Sequence, residues 1–441
     1  MRLNPEIQRN LWLEFSPHRL FAMPIVLGLI LYIAGCANDN LNESHAFEMT
    51  AVTLYFLLVK IWGGHKAAEA VLQEVNDNTW DFQKLSALSP WDLTIGKLFG
   101  GSSFTWYGGL MVYVAAVWAV SNRLNGADLF CYAALMLLSG LIVQAAALFT
   151  SLIAVQNRNG AHNKMRPLPY HFAGLVIGGI FAIDNTWQSI PYKTNLQNIQ
   201  HHFISWYGTA YELNSFLTIT ALVTLGWLVA GIYWQMRGQL KMPTSPWLWL
   251  GFVLFWIGYS GGFTPDMSGH PQYFVETRGL IPFFLSLAFL YVITFQEGWT
   301  TVRYRRCLSA WKEKHYSKAF EICPRWVLTY PICLALALWI GTTSATIFTL
   351  GFMFFATRDI AILHIFKLNP ENQNPTRTTK FYLALLYLLL PALFAVLHIP
   401  DGLLLFVPSD KVASLLSGSM QAAIFINFAL SRWHRFGVKA A

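Results

Sequence analysis

Long apolar runs separated by short polar segments dominate this chain from residue 20 onward. A first series covers 20–36, 49–63, 99–120, 129–153, 170–187 and 216–234. A second covers 248–262, 280–295, 326–340, 345–356, 381–397 and 412–430. A helix needs roughly 20 apolar residues to cross a bilayer, and most of these runs approach that length. The pattern predicts an all-α, polytopic α-helical membrane protein with about twelve transmembrane helices. Residues 326–356 would be about 46 Å long as one helix, against a hydrocarbon core of ~30 Å. Two short spans turning at Gly341-Thr342-Thr343-Ser344 are expected there, since a single crossing would carry the following basic residues to the outer side.

Composition agrees with the pattern. Hydrophobic residues make up 55% of the 441 and charged residues only 12%, with a mean hydropathy of +0.42. A soluble chain carries about 25% charged residues, so an ordinary globular surface is excluded, as are disorder and a collagen-like repeat. Five cysteines are too sparse for a disulfide scaffold and fall in no metal-binding spacing. The formal charge of +8 would suit nucleic acid, but its placement is topological. With the N-terminus cytoplasmic, all of the 30 Lys and Arg except Arg123, Lys193, Arg278 and Lys411 lie on the cytoplasmic side. Cytoplasmic loops collect Lys and Arg during insertion. The expectation is therefore both termini in the cytoplasm and no nucleic-acid partner. Ile33-Ala34-Gly35-Cys36 imitates a lipoprotein signal, but 19 residues with a helical pattern of their own precede the apolar run, so this segment is expected to be retained.

Candidate chemistry is scarce. No Asp, Glu, Lys or Arg falls in the middle of an expected span, which argues against ion-coupled carriers and proton pumps. Gln144 and Asn427 are expected to make interhelical hydrogen bonds. None of the H-E-x-x-H, G-x-S-x-G or G-x-x-x-x-G-K-[ST] patterns occurs. His65 with Glu69 and His45 with Glu48 share helical spacing but lack a third ligand, and the adjacent His201 and His202 would point about 100° apart. The reading is of no enzyme, no catalytic residue, no metal and no cofactor bound by this chain. The outward segment 188–212 is expected to be an amphipathic helix carrying Leu196, Ile199, Phe203 and Trp206, since Lys193, His201, His202 and Glu212 make a crossing costly.

Two cytoplasmic segments carry more information. Over residues 4–20, Asn4 can cap a helix, Pro5 suits its first position, and Glu6 lies where the helix dipole favours negative charge. Ile7, Leu11 and Phe15 recur on one face, which predicts an amphipathic interfacial helix before the first span. Between the second and third spans, Asn78 or Thr79 can cap a short helix running to Leu88, with Phe82, Leu85 and Leu88 as an apolar ridge. Ser89-Pro90 breaks it, and Pro90 can start a new helix through Leu93 and Lys97 into the third span. The segment 297–325 in the second half, with Arg303, Arg305 and Arg306 followed by Trp311, Phe320 and Ile322, also reads as interfacial.

These features resemble the permease subunits of type-2 ABC exporters, in which an amphipathic helix and two spans precede a short coupling helix leading into span three. Glu74 and Thr79 match the family's opening acidic residue and threonine. Leu85, Leu88, Ser89 and Pro90 match the helix and its break, and Gly96 and Lys97 match the start of the third span. Asn78 stands where the family usually has glycine, and the usual basic residues after Glu74 are missing. The resemblance covers about residues 1–241, a six-span unit. Residues 242–441 form a second six-span region, either an extension or a diverged half. The resemblance implies a bacterial inner-membrane subunit that exports a lipid, glycan, peptide or hydrophobic compound. A separate ABC ATPase subunit would carry ATP and Mg, and a homodimer or a second permease remains open as companion. The rival readings are a non-transporting membrane scaffold and a membrane-embedded transferase.

Overall fold

The computed structural model describes residues 4–36, 45–86, 88–156, 164–181, 203–242, 244–263, 271–297, 301–340, 343–369, 372, 374–398 and 406–437. The chain divides into two compact units. Met1–Ile204 with Ala210–Thr244 forms the first, and Ser205–Thr209 with Ser245–Ala441 forms the second.

In unit one, α1 (Pro5–Glu14) precedes α2 (Pro17–Cys36) and α3 (Ala46–Asn76). Two short helices follow, α4 (Trp80–Leu85) and α5 (Pro90–Gly100). The remaining helices are α6 (Ser103–Val120), α7 (Gly126–Gln156), α8 (Leu168–Gly179) and α9 (Leu213–Gln239). The 31-residue α7 is the axis of the unit. Its Ala145, Leu148 and Leu152 form one buried cluster with Ala67, Val71 and Val75 of α3, Leu93 and Leu98 of α5, and Ile232 and Met236 of α9. Small residues along α7, including Ser139, Gly140 and Ala145 to Ala147, let neighbouring helices approach closely without requiring large side chains to interdigitate. Gln144 bridges helices as expected: its Nε2 donates to the Val59 carbonyl (3.0 Å) and its Oε1 accepts from Trp106 Nε1 (2.8 Å).

Unit two contains α10 (Trp247–Gly261), α11 (Pro271–Gln296), α12 (Thr301–Lys312) and α13 (Tyr316–Ile322). It continues with α14 (Arg325–Trp339), α15 (Thr343–Lys367), α16 (Pro375–Phe394) and α17 (Val412–Arg435). Phe283 and Leu287 of α11, Cys333 and Ala337 of α14, and Met353 and Ala356 of α15 make up most of its buried core. Thr349 Oγ1 of α15 donates to the Ala337 carbonyl (3.1 Å), Tyr330 and Thr357 hydroxyls lie 2.6 Å apart, and the Trp326 and His364 rings are 5.3 Å apart. Numbers rising on α14 meet numbers falling on α15, so the two helices form an antiparallel hairpin. Residues 341–342 of its turn lie outside the described residues.

The protein is thus helical and membrane-like. Nine helices among the described residues are long and apolar enough to cross a bilayer, or ten if α13 and α14, bent by 92°, form one broken span. Three of the expected runs yield shorter helices: α8 has 12 residues, and α10 and α14 have 15 each. At 1.5 Å per residue these reach about 18–22 Å, less than the hydrocarbon thickness.

Three expectations need correction. The first interfacial helix ends at Glu14, and Phe15-Ser16 separates it from α2. The segment 188–212 is not helical where it is described: β1 (Phe203–Trp206) and β2 (Thr209–Glu212) pair as a hairpin. Tyr207 (φ 50°) and Gly208 (φ 79°) supply the two left-handed residues that a tight hairpin turn demands. Leu196 and Ile199 lie outside the described residues. Finally, the spans are not free of charge. Arg358 and Asp359 are fully buried within α15, and Lys60 is buried within α3.

Candidate functional site

Most of the sequence-derived site residues meet in unit one, around the α3–α4–α5 segment. Helix α3 ends in a hydrogen-bonded turn in which the Asn78 N–H reaches the Val75 carbonyl (3.4 Å) and the Thr79 N–H reaches the Glu74 carbonyl (2.9 Å). This is a Schellman-type stop, and Asn78 takes the left-handed conformation it requires (φ 58°). Glycine and asparagine are the residues that adopt it most readily, so asparagine meets the backbone demand at this position.

Helix α4 is shorter than expected. It ends at Leu85, and Ser86 is already extended (φ −70°, ψ 156°). Leu88 therefore leaves the proposed ridge and packs against the buried cluster below. Thr79 makes no side-chain cap; its hydroxyl donates back to the Glu74 carbonyl at 3.3 Å. What remains outward is a pair: Phe82 is 76% exposed and Leu85 is 85% exposed. The opposite face of α4 is anchored by Trp80, only 4% exposed and part of the core cluster with Leu93 and Leu98.

Beneath α4 lies a ring of alternating charges. Lys97 Nζ donates to Glu6 Oε1 (2.7 Å) and to Glu74 Oε2 (2.6 Å). Arg9 Nη2 donates to Glu6 Oε1 (2.9 Å) and to Glu74 Oε1 (2.7 Å), closing the ring. Gln83 of α4 donates to the same Glu74 oxygen at 2.6 Å. The Lys97 side chain is 2% exposed, so its charge is tolerable only because two carboxylates face it. Burial opposes the charge of Arg9, but the hydrogen bond to Glu74 and the two nearby carboxylates outweigh it and raise its pKa. The ring therefore ties α1, α3, α4 and α5 together across 91 residues of sequence separation.

Small residues and caps make the ring reachable. A side chain at Gly96 would place its Cβ 2.6 Å from Glu6 Cβ, and one at Gly100 would meet Asn10 Nδ2 at 2.6 Å. Glycine at these two positions lets α1 lie directly on α5. Asn4 Oδ1 accepts from the Glu6 (3.0 Å) and Ile7 (3.4 Å) N–H groups, capping α1, while its Nδ2 donates to the Asp92 carbonyl (2.8 Å). Pro90 occupies the first turn of α5. Ser89 caps that helix by accepting from the Asp92 N–H (3.1 Å) and donating to the Asp92 carboxylate (2.6 Å). Thus Glu74, Pro90, Gly96 and Lys97 fall into one construction, Phe82 and Leu85 project from it, and Thr79 and Leu88 have structural roles. Glu6, Arg9, Trp80 and Gln83 complete it. The Glu6–Arg9 spacing is a visible i,i+3 pair, but nothing local points to Lys97 as its partner.

Unit two has its own buried polar cluster. Arg358 Nε donates to Asp359 Oδ1 (2.9 Å) and Nη1 to Gln421 Oε1 (2.7 Å). Tyr291 and Tyr387 hydroxyls both donate to Asp359 Oδ2, at 2.7 and 2.8 Å. The guanidinium lies 4.8 Å from the ring centroids of both Phe355 and Tyr387. With these partners the pair is a clamp joining α11, α15, α16 and α17. Tyr387→Phe should lower stability by about 1–3 kcal/mol, because it leaves a buried carboxylate short of a donor. Thermal unfolding of the detergent-solubilised protein checks this, and an unchanged midpoint would contradict the clamp.

No group of three metal-ligating side chains occurs among the described residues. His65 faces His171, with rings 5.9 Å apart, and Glu69 pairs with Lys66 at 3.0 Å. No protein-family model matches the chain, no curated protein matches it, and no solved structure matches it.

Proposed function

We propose that this chain is the transmembrane subunit of an ATP-driven exporter of the type-2 ABC kind, moving a lipid, glycan, peptide or hydrophobic compound. The observation that carries the reading is α4: a six-residue helix presenting Phe82 and Leu85 outward while Trp80, Gln83 and the ring beneath hold it rigidly. A cap-stiffened helix, α5, starts five residues beyond α4 and leads to α6 after a two-residue turn. Force applied to Phe82 and Leu85 has a stiff route to the membrane helices. Nucleotide hydrolysis belongs to a separate ATPase chain, with ATP and Mg bound there. Twelve crossings, both termini cytoplasmic and residence in a bacterial inner membrane complete the proposal.

Purification of the chain from its native membrane in mild detergent tests the reading. An ATP-hydrolysing chain should accompany it; purification without any such chain would favour a scaffold. Topology has its own test in a chain whose Cys36 is replaced by Ser. Asn122→Cys should react with a membrane-impermeant thiol reagent added to intact cells. Ser86→Cys should react only after the membrane is opened. Equal labelling of both from outside would overturn the assigned orientation.

A further inference from the structure

Unit two carries a half-open cavity of about 500 Å³ that has no part in the α4 construction. Its walls are mostly aromatic and aliphatic: Trp326, Tyr330, Ile360, Ile426, Leu430 and Trp433. The α15 residues lining it run from Thr357 to Lys367, about 15 Å along the helix at 1.5 Å per residue. A long apolar slot of this size is the shape of a hydrocarbon chain, and water has little to bind there.

One end of the slot is polar and basic. His364 Nδ1 donates to the Ile360 carbonyl (2.7 Å), which leaves Nε2 to accept from the Tyr304 hydroxyl. These two groups satisfy each other and add no charge. Lys367 also lines the cavity, and among the described residues its hydrogen bond is to the Glu297 backbone carbonyl at 3.2 Å. An ammonium has three donors, so this contact leaves capacity for an anion. The Glu297 carboxylate does not neutralise Lys367 alone. It accepts from the Arg325 N–H at 3.0 Å and lies 4.0 Å from both the Arg303 and Arg325 guanidinium groups. Lys367, held to the Glu297 backbone, thus lies beside a carboxylate already flanked by two guanidinium groups, where the apolar slot ends.

We propose that this cavity binds an anionic phospholipid, with one acyl chain in the slot and its phosphate at Lys367. The charge arrangement favours this occupant over a zwitterionic lipid, whose added cation would meet the same basic end. The inference is independent of the exporter reading, since a scaffold could hold the same lipid.

The full chain, delipidated in detergent, would be exposed to equal amounts of dioleoylphosphatidylglycerol and dioleoylphosphatidylcholine. Native mass spectrometry then reads the bound ratio. The wild type should retain the phosphatidylglycerol at least tenfold more than the phosphatidylcholine. Lys367→Gln should bring that ratio near one while still retaining lipid. Ala429→Trp, which projects an indole into the slot from α17, should lose both lipids. Ile426→Trp serves the same purpose if Ala429→Trp fails to give a wild-type melting profile. Equal retention of both lipids by the wild type would overturn the proposal, as would a Lys367→Gln ratio matching the wild type. Undiminished lipid retention by a folded slot-filling variant would do so as well. Inorganic phosphate alone should not raise the melting temperature; stabilisation equal to that by phosphatidylglycerol would show a bare anion site instead.

Discussion

Lys97→Met should destabilise unit one by about 3–5 kcal/mol, the usual penalty for breaking a buried ion pair by removing one partner. Methionine keeps much of the length and packing of the stem, so the loss isolates the charge. Glu6 and Glu74 would keep Arg9, but its side chain is 47% exposed and it approaches from the rim of the ring. Two largely buried carboxylates would then share a single cation, Arg9, held at the exposed rim. Thermal unfolding and hydrogen exchange of α1 report the effect, and α1 should lose its protection first because its buried contacts are to α5. Adding Glu6→Gln removes one stranded carboxylate, so the double variant should be less destabilised than the sum of the singles. If Lys97→Met melts like the wild type, the ring does not hold α4 in place.

The legible parts of this fold were those written in local pattern. Asn4-Pro5-Glu6 is a helix start in its own right, and it caps α1 as expected. Ser89-Pro90 likewise opens α5, and the apolar runs locate the membrane-type helices. The ridge on α4 was only half legible. A three-residue period fits Phe82, Leu85 and Leu88, but no residue pattern marks the extended turn at Ser86 that removes Leu88 from the helix. Trp80 reads as one more apolar residue until its neighbours Leu93 and Leu98 are known. Long-range charge pairing was not legible at all. Hydropathy ends a span where charges begin, so the sequence places Arg358 and Asp359 after a short span ending at Ala356, whereas α15 continues to Lys367. Their burial is compensated by Tyr291, Tyr387 and Gln421, which come from three other helices. The hairpin at 203–212 was missed because its apolar residues suit a helix and a strand alike. Only the Tyr207-Gly208 turn distinguishes the two.

Phe82→Asp combined with Leu85→Asp should abolish the association with an ATPase while leaving the chain folded. Both side chains project away from the core, so charging them disturbs no packing that α4 needs. Anchors buried at an interface typically contribute about 2 kcal/mol or more each, roughly thirtyfold in affinity per residue. The pair together is expected to weaken binding by about a thousandfold if the two effects add. If α4 instead lies on lipid, the same variant would loosen membrane contact and release no partner.

The most direct measurement is therefore the amount of ATPase that co-purifies with the wild type and with the Phe82→Asp/Leu85→Asp variant, from the same membranes and at matched melting temperature. A stoichiometric ATPase is expected with the wild type and almost none with the variant. Wild-type ATPase yield with the variant would contradict the coupling role of α4.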